Sequence, residues 1–136
     1  MIFDGYRYSH ATVLGFDENG KLLWDNTFEI NDVKTFHKEQ FVKIKTGDDR
    51  LTLLYLFNNQ LKSKVIDGQN VLEVKTTEPL RTLQGSAVIG STLLNKLEYW
   101  YDDYLFAYGV QDIVQTDHKG DQVQREVFFI NKVKCN

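Results

Sequence analysis

Five clusters of turn-forming residues cut this chain into short runs: Glu18-Asn19-Gly20, Gly47-Asp48-Asp49, Asn58-Asn59, Asp67-Gly68 and His118-Lys119-Gly120-Asp121. Between them lie aromatic and β-branched residues, several in strict alternation, and turns spaced by about 8 to 12 residues are the habit of sandwiches and barrels. Antiparallel sheet is the fold class that such a pattern allows. Tyr6 to Phe16 and Lys21 to Ile30 read as a first hairpin, and Gln40 to Lys45 with Arg50 to Phe57 as a second. Gln60 to Ile66 and Val71 to Thr77 add two more strands. Leu51 to Phe57 is apolar on both faces, which suits a central strand covered on each side.

Composition agrees with sheet. Aromatic residues make up 13% of the chain and Pro79 is the single proline, and a pleated surface packs aromatic side chains well while proline interrupts it. At 136 residues the expectation is one β domain over 1–136, a module of a longer protein. About eight mostly antiparallel strands are predicted, forming a sandwich, an open barrel or part of a propeller. The segment near 80–96 reads as loop with a short helix, because Leu83, Ala87, Leu93 and Leu94 hint at a helical face that Gly85 and Gly90 weaken. Leu97 to Gln115 reads as one long strand bent near Gly109, and Val123 to Lys134 closes the chain with Val127, Phe129 and Val133 on one face. No exact internal repeat stands out.

Two resemblances bear on context. Phe16-Asp17-Glu18-Asn19-Gly20-Lys21-Leu22-Leu23-Trp24 resembles the D-x-x-G-x-x-x-W hairpin in blades of quinoprotein-type β-propellers. There the Asp and Gly shape the turn and the tryptophan packs between blades. Trp100 to Gly109, followed by Glu126 to Lys132, is similar to the C-terminal part of uncharacterised envelope-associated bacterial proteins, which implies a module of a longer parent and no assigned chemistry.

Several function classes are disfavoured. The net charge of −3 and the lack of basic clusters argue against a nucleic-acid partner. No stretch approaches the ~18 apolar residues of a membrane span, so direct membrane insertion is not expected. The compartment stays open, with envelope or periplasm allowed if the domain is cut from a longer precursor. Cys135 stands alone, which removes any intrachain disulfide. His10, His37 and His118 have no ligand spacing, so neither metal nor cofactor is expected. Gly85 to Thr92 has the spacing of a phosphate-binding loop, but Ser91 stands where the lysine belongs. Ser9, His10 and Ser86 lack the elbow that positions a nucleophile.

What remains is aromatic excess. Tyr99, Trp100, Tyr101, Tyr104, Phe106 and Tyr108 are more aromatics than one face of one strand buries, and rings that join an apolar body to a polar tip suit sugars, peptides or a protein. The candidate ligand-binding residues are therefore Tyr99, Trp100, Tyr101, Asp102, Tyr104 and Tyr108. A binding or protein-interaction module is the leading expectation. One alternative is a hydrolase-like enzyme using Asp102 or Asp103 with a histidine. Another is a scaffold that pairs through sheet edges with a neighbouring domain or a second copy.

Overall fold

The computed structural model describes residues 2–47, 49–80 and 87–135. The strands are β1 (Tyr6–Phe16), β2 (Leu22–Thr35), β3 (Lys43–Gly47), β4 (Arg50–Phe57), β5 (Gln60–Asp67), β6 (Asn70–Pro79), β7 (Val88–Tyr99), β8 (Tyr104–Thr116) and β9 (Gln122–Lys134). They form three sheets in the orders β1-β2, β3-β4-β5-β6 and β7-β8-β9, each strand beside its neighbour in sequence. No helix occurs among the described residues, and no helix is long and apolar enough to cross a membrane. Residue contacts gather the chain into two compact units, one of Met1–Tyr55 with Lys62–Thr76 and one of Leu56–Leu61 with Thr77–Asn136.

The all-β expectation holds, with nine described strands instead of eight. Two local expectations do not hold. The stretch from Val88 onward is strand β7, without a helix, and residues 81–86 of the expected loop lie outside the described residues. The cause is a pair of register shifts, between Ile89 and Ser91 and between Thr92 and Leu94. Each breaks the two-residue alternation, so Leu93 and Leu94 adopt a spacing that imitates a helical face. Nor is 97–115 one strand. Trp100 to Asp103 form a turn closed by the Tyr104 amide donating to the Tyr101 carbonyl at 2.9 Å, with Asp102 at φ 46°.

In the first unit, β4 behaves as its sequence requires: Thr52, Leu53, Leu54 and Tyr55 are all buried, on both faces of a strand flanked by β3 and β5. Phe28, Ile30 and Val33 of β2 join Val65 and Ile66 of β5 in the core. Full burial of such side chains stabilises by about 1.5–3 kcal/mol each. The rings interlock, with Phe28 5.2 Å and Phe41 5.4 Å from Tyr55. Trp24 lies across Gly15 on the paired strand, so closely that a Cβ there would fall 2.2 Å from the indole. Glycine opposite tryptophan is thus a packing requirement in this hairpin.

Tyr55 is fully buried and its hydroxyl has no hydrogen-bond partner among the described residues. Burial pushes its pKa up; the Lys62 ammonium and the nearby Asn31 amide, which does not reach hydrogen-bond geometry, pull weakly the other way. A buried hydroxyl without a partner costs about 1–3 kcal/mol. Tyr55→Phe is therefore expected to raise stability by about 1 kcal/mol in urea melts. A raised pKa means that stability is intact below the ordinary value of 10.0 and falls as pH climbs past it, because the unfolded chain ionises first. Wild type should lose stability above that pH, while Tyr55→Phe should lose less.

In the second unit, β8 alternates cleanly: Leu105, Ala107, Gly109, Gln111 and Ile113 are buried, and the residues between them are partly exposed. Leu97, Phe129, Val133 and Cys135 complete the core, and the buried Cys135 thiol is not in a disulfide. Its amide donates to the Asp103 carbonyl at 2.8 Å, which ties the end of β9 to the turn before β8.

The turns at Asp17 and Asp117 are the same device. In each, the aspartate Oδ1 accepts from the amides two and four residues on, at 2.9 and 2.8 Å for Asp17 and at 2.8 and 2.9 Å for Asp117, and a glycine with positive φ closes the loop. The D-x-x-G part of the hairpin thus recurs, with Gln124 in place of Trp24.

Candidate functional site

Antiparallel partners point to the same face, so the β7-β8-β9 register fixes what lies opposite the second unit's core. Phe106 pairs with Glu98 and Lys132, Tyr108 with Lys96 and Ile130, Val110 with Leu94 and Phe128, and Asp112 with Ser91 and Glu126. This outward face carries an apolar centre, with Lys132 of β9 towards one end and Asp112 and Glu126 towards the other. Phe128, Ile130 and Leu94 are exposed on it.

The rings form a connected series. Tyr104 lies 5.3 Å from Tyr101, Tyr101 5.0 Å from Trp100, and Trp100 6.1 Å from Phe106. Phe106 stacks on Tyr108 at 5.4 Å, and Tyr108 reaches Phe128 at 6.3 Å. At the turn end, the Lys132 ammonium sits 3.6 Å from the centre of the Tyr104 ring, 5.0 Å from Tyr101 and 5.8 Å from Trp100. It donates to the Tyr101 hydroxyl oxygen at 2.7 Å, and that hydrogen bond holds its pKa above the usual lysine value. Ring faces attract a cation, so this arrangement fixes the direction of a long, otherwise floppy side chain.

Of the six residues predicted from sequence, Trp100, Tyr101 and Tyr104 converge on Lys132, and Tyr108 continues the series along the strand. Tyr99 does not join them, because it pairs with the buried Leu105 and so belongs to the opposite face. Asp102 is an exposed turn residue. Phe128, Ile130 and Lys132 were missed, although the alternation that puts Val127, Phe129 and Val133 inward also sends these three outward.

The catalytic alternative finds no assembled pair within the second unit. Its histidine, His118, lies beyond the far end of β8 from Asp102 and Asp103. Thirteen residues of strand separate them, about 40 Å of extended chain. The cleft that His118 lines, about 270 Å³, is shared with Asp117 and Arg125. No group of three His, Cys, Asp or Glu that could hold a metal occurs among the described residues. Gly90, Ser91 and Thr92 lie within strand β7, where they cannot wrap a phosphate, and Gly85 and Ser86 lie outside the described residues.

No protein-family model matches the chain, and no curated protein or solved structure is significantly similar to it.

Proposed function

We propose that this chain is a protein-interaction module that docks its partner on the outward face of the β7-β8-β9 sheet. Trp100, Tyr101, Tyr104 and Lys132 form one end of that surface, and Phe106, Tyr108, Phe128 and Ile130 form its centre. The observation that carries the reading is the contrast across β8: one face is buried, while on the other a connected row of half-buried rings on β8 is flanked by the exposed Trp100, Tyr101, Phe128 and Ile130. Exposed apolar patches of this kind, rimmed by charge, mark interaction sites in soluble proteins. The surface is an open three-stranded sheet, whereas sites for small ligands are concave, which favours a protein over a sugar.

A variant carrying Phe128→Ser and Ile130→Ser tests this with the dye 8-anilinonaphthalene-1-sulfonate, at protein concentrations too low for association. Wild type should enhance dye fluorescence and the variant should not, with a melting temperature within about 4 °C of wild type, as for surface changes. A loss of more than about 10 °C would show that these side chains belong to a core, and the docking face would be gone. Dye binding that survives the double change would place the open apolar surface elsewhere.

Strand β6 favours a second reading. It ends its sheet, and Val71, Leu72 and Val74 on it are exposed, which is what pairing through an uncovered edge requires.

A further inference from the structure

An internal repeat bears on what the outward face is built to meet. Residues 6–35 and 106–135 align without a gap, each pair separated by 100 positions, and eight pairs are identical: Tyr8/Tyr108, Asp17/Asp117, Gly20/Gly120, Phe28/Phe128, Ile30/Ile130, Asn31/Asn131, Val33/Val133 and Lys34/Lys134. Both segments are hairpins that turn on the same aspartate device. Their apolar residues have opposite fates. Phe28 and Ile30 are 1% and 3% exposed, whereas Phe128 and Ile130 are 66% and 61% exposed.

Register explains the inversion. The β1-β2 ladder slips between Tyr8 and His10 and again between Gly15 and Phe16, while β8 and β9 pair without interruption from Tyr104↔Lys134 to Thr116↔Gln122. Between Tyr8↔Val33 and His10↔Glu29, β2 spans four residues against two in β1, and such a bulge breaks the strand's two-residue alternation. Val33 and Val133 are buried in both hairpins, so the slip in β2 falls between Ile30 and Val33. In the first hairpin, the cover over Phe28 is a sheet residue, Tyr55 of β4. The second hairpin keeps the same phenylalanine and isoleucine with no such cover in its own unit.

The charges on this face say which sheet fits. Lys132 and Lys134 lie at one end of β9's outward row, and Glu126 with its partner Asp112 lies towards the other. Turned end for end about a twofold axis that crosses the strands near Gly109, β9 of each copy sets Lys132 over Glu126 of the other, and Glu98 of β7 lies over Ser91. The Phe106–Lys132 row then opposes the Asp112–Glu126 row, and the Tyr108–Ile130 row opposes the Val110–Phe128 row. The opposite arrangement, with the axis along β8, would set the Asp112 carboxylate over its own copy.

We propose that the outward face of the β7-β8-β9 sheet binds the same face of a second copy of this chain, sheet on sheet, with the strands of the two copies antiparallel. The proposal rests on the docking reading above and names its partner. Isologous twofold contacts are the commonest way for identical chains to associate. From strand spacing and rise, three strands of about eleven residues cover roughly 500 Å² per copy. The total, about 1,000 Å², is at the low end for a specific interface, so the dimer should be reversible.

Sedimentation equilibrium on the whole chain, from the low micromolar range upward, tests this. Wild type should pass from monomer to dimer with concentration, less readily at high salt because the paired rows are charged. Phe128→Ser with Ile130→Ser should remain monomeric. Lys132→Glu alone and Glu126→Lys alone should each weaken the dimer about tenfold, by setting like charges over one another at both ends. Mixing these two single variants should restore a dimer containing one of each.

A wild type that stays monomeric at every concentration, yet loses dye binding on the Phe128 and Ile130 changes, would overturn the second copy and leave the docking face for another protein. A dimer indifferent to all four substitutions would overturn the proposal by locating association elsewhere, β6 being the next surface to examine. Should the double serine variant unfold, the docking face itself fails; the exposed single changes at Glu126 and Lys132 still decide whether any dimer uses these rows.

Discussion

Gly109→Ala is expected to destabilise the protein by about 3 kcal/mol or more in urea melts, the range of severe backbone and packing conflicts. A Cβ at this position would fall 1.8 Å from the Leu94 carbonyl oxygen and 3.0 Å from the Phe129 ring. The first neighbour is backbone of the adjacent strand and cannot rotate away. It lies beside the register shift between Thr92 and Leu94, so bulge and glycine form one device that lets β7 press close against β8. Gly90→Ala supplies the control. It also sits in β7, but its nearest contacts would be ordinary ones at 3.6 Å, so its effect should stay within about 1 kcal/mol. Equal effects at the two positions would mean that the close approach at Gly109 is not real.

The same bulges mark where the sequence stopped being readable. Strands β4 and β8 were legible because their side chains alternate, or are apolar throughout, against an unbroken ladder. Strand β7 was not, because two extra residues shift the phase within a few positions, and period is the only signal that single-sequence reasoning has there. The turn at Trp100 to Asp103 was hidden in a different way. Its residues are aromatic and acidic, without glycine or proline, and Asp102 takes the positive φ that such turns usually give to glycine or asparagine.

The candidate site was half legible for the same reason. Trp100, Tyr101, Tyr104 and Tyr108 announce themselves by composition, whereas Lys132 joins them only through the pairing of Phe106 with residue 132, 26 positions further along the chain. The repeat was obscured because its conserved spacing carries different packing. Phe28 and Phe128 are equivalent in sequence and opposite in burial, so a search for repeated core residues passes over them. The aspartate turns, alike in each hydrogen bond, are what reveal it.

Asn59→Ala is expected to cost about 3 kcal/mol, from two separable sources. Asn59 sits at φ 59° in the turn between β4 and β5, a conformation that costs a residue with an ordinary Cβ roughly 1–2 kcal/mol. Its side chain is also a hub of the second unit. Oδ1 accepts from the amide of Gln111 at 2.7 Å, and Nδ2 donates to the Leu80 carbonyl at 3.0 Å. Gln111 is fully buried in the middle of β8, so removing Asn59 takes away a hydrogen bond where water cannot easily replace it, a loss of about 1–3 kcal/mol. Asn59→Gly separates the two sources, because glycine keeps the positive φ and loses only the side chain. It should therefore recover about 1 kcal/mol of the alanine loss. Combining Asn59→Gly with Gln111→Leu should cost less than the two single changes added together, by about 1 kcal/mol, since groups in one hydrogen-bond network couple. Simple additivity would mean that the two amides do not meet in solution, and that the β4-β5 turn is held in the second unit by its backbone pairing with Leu80 alone.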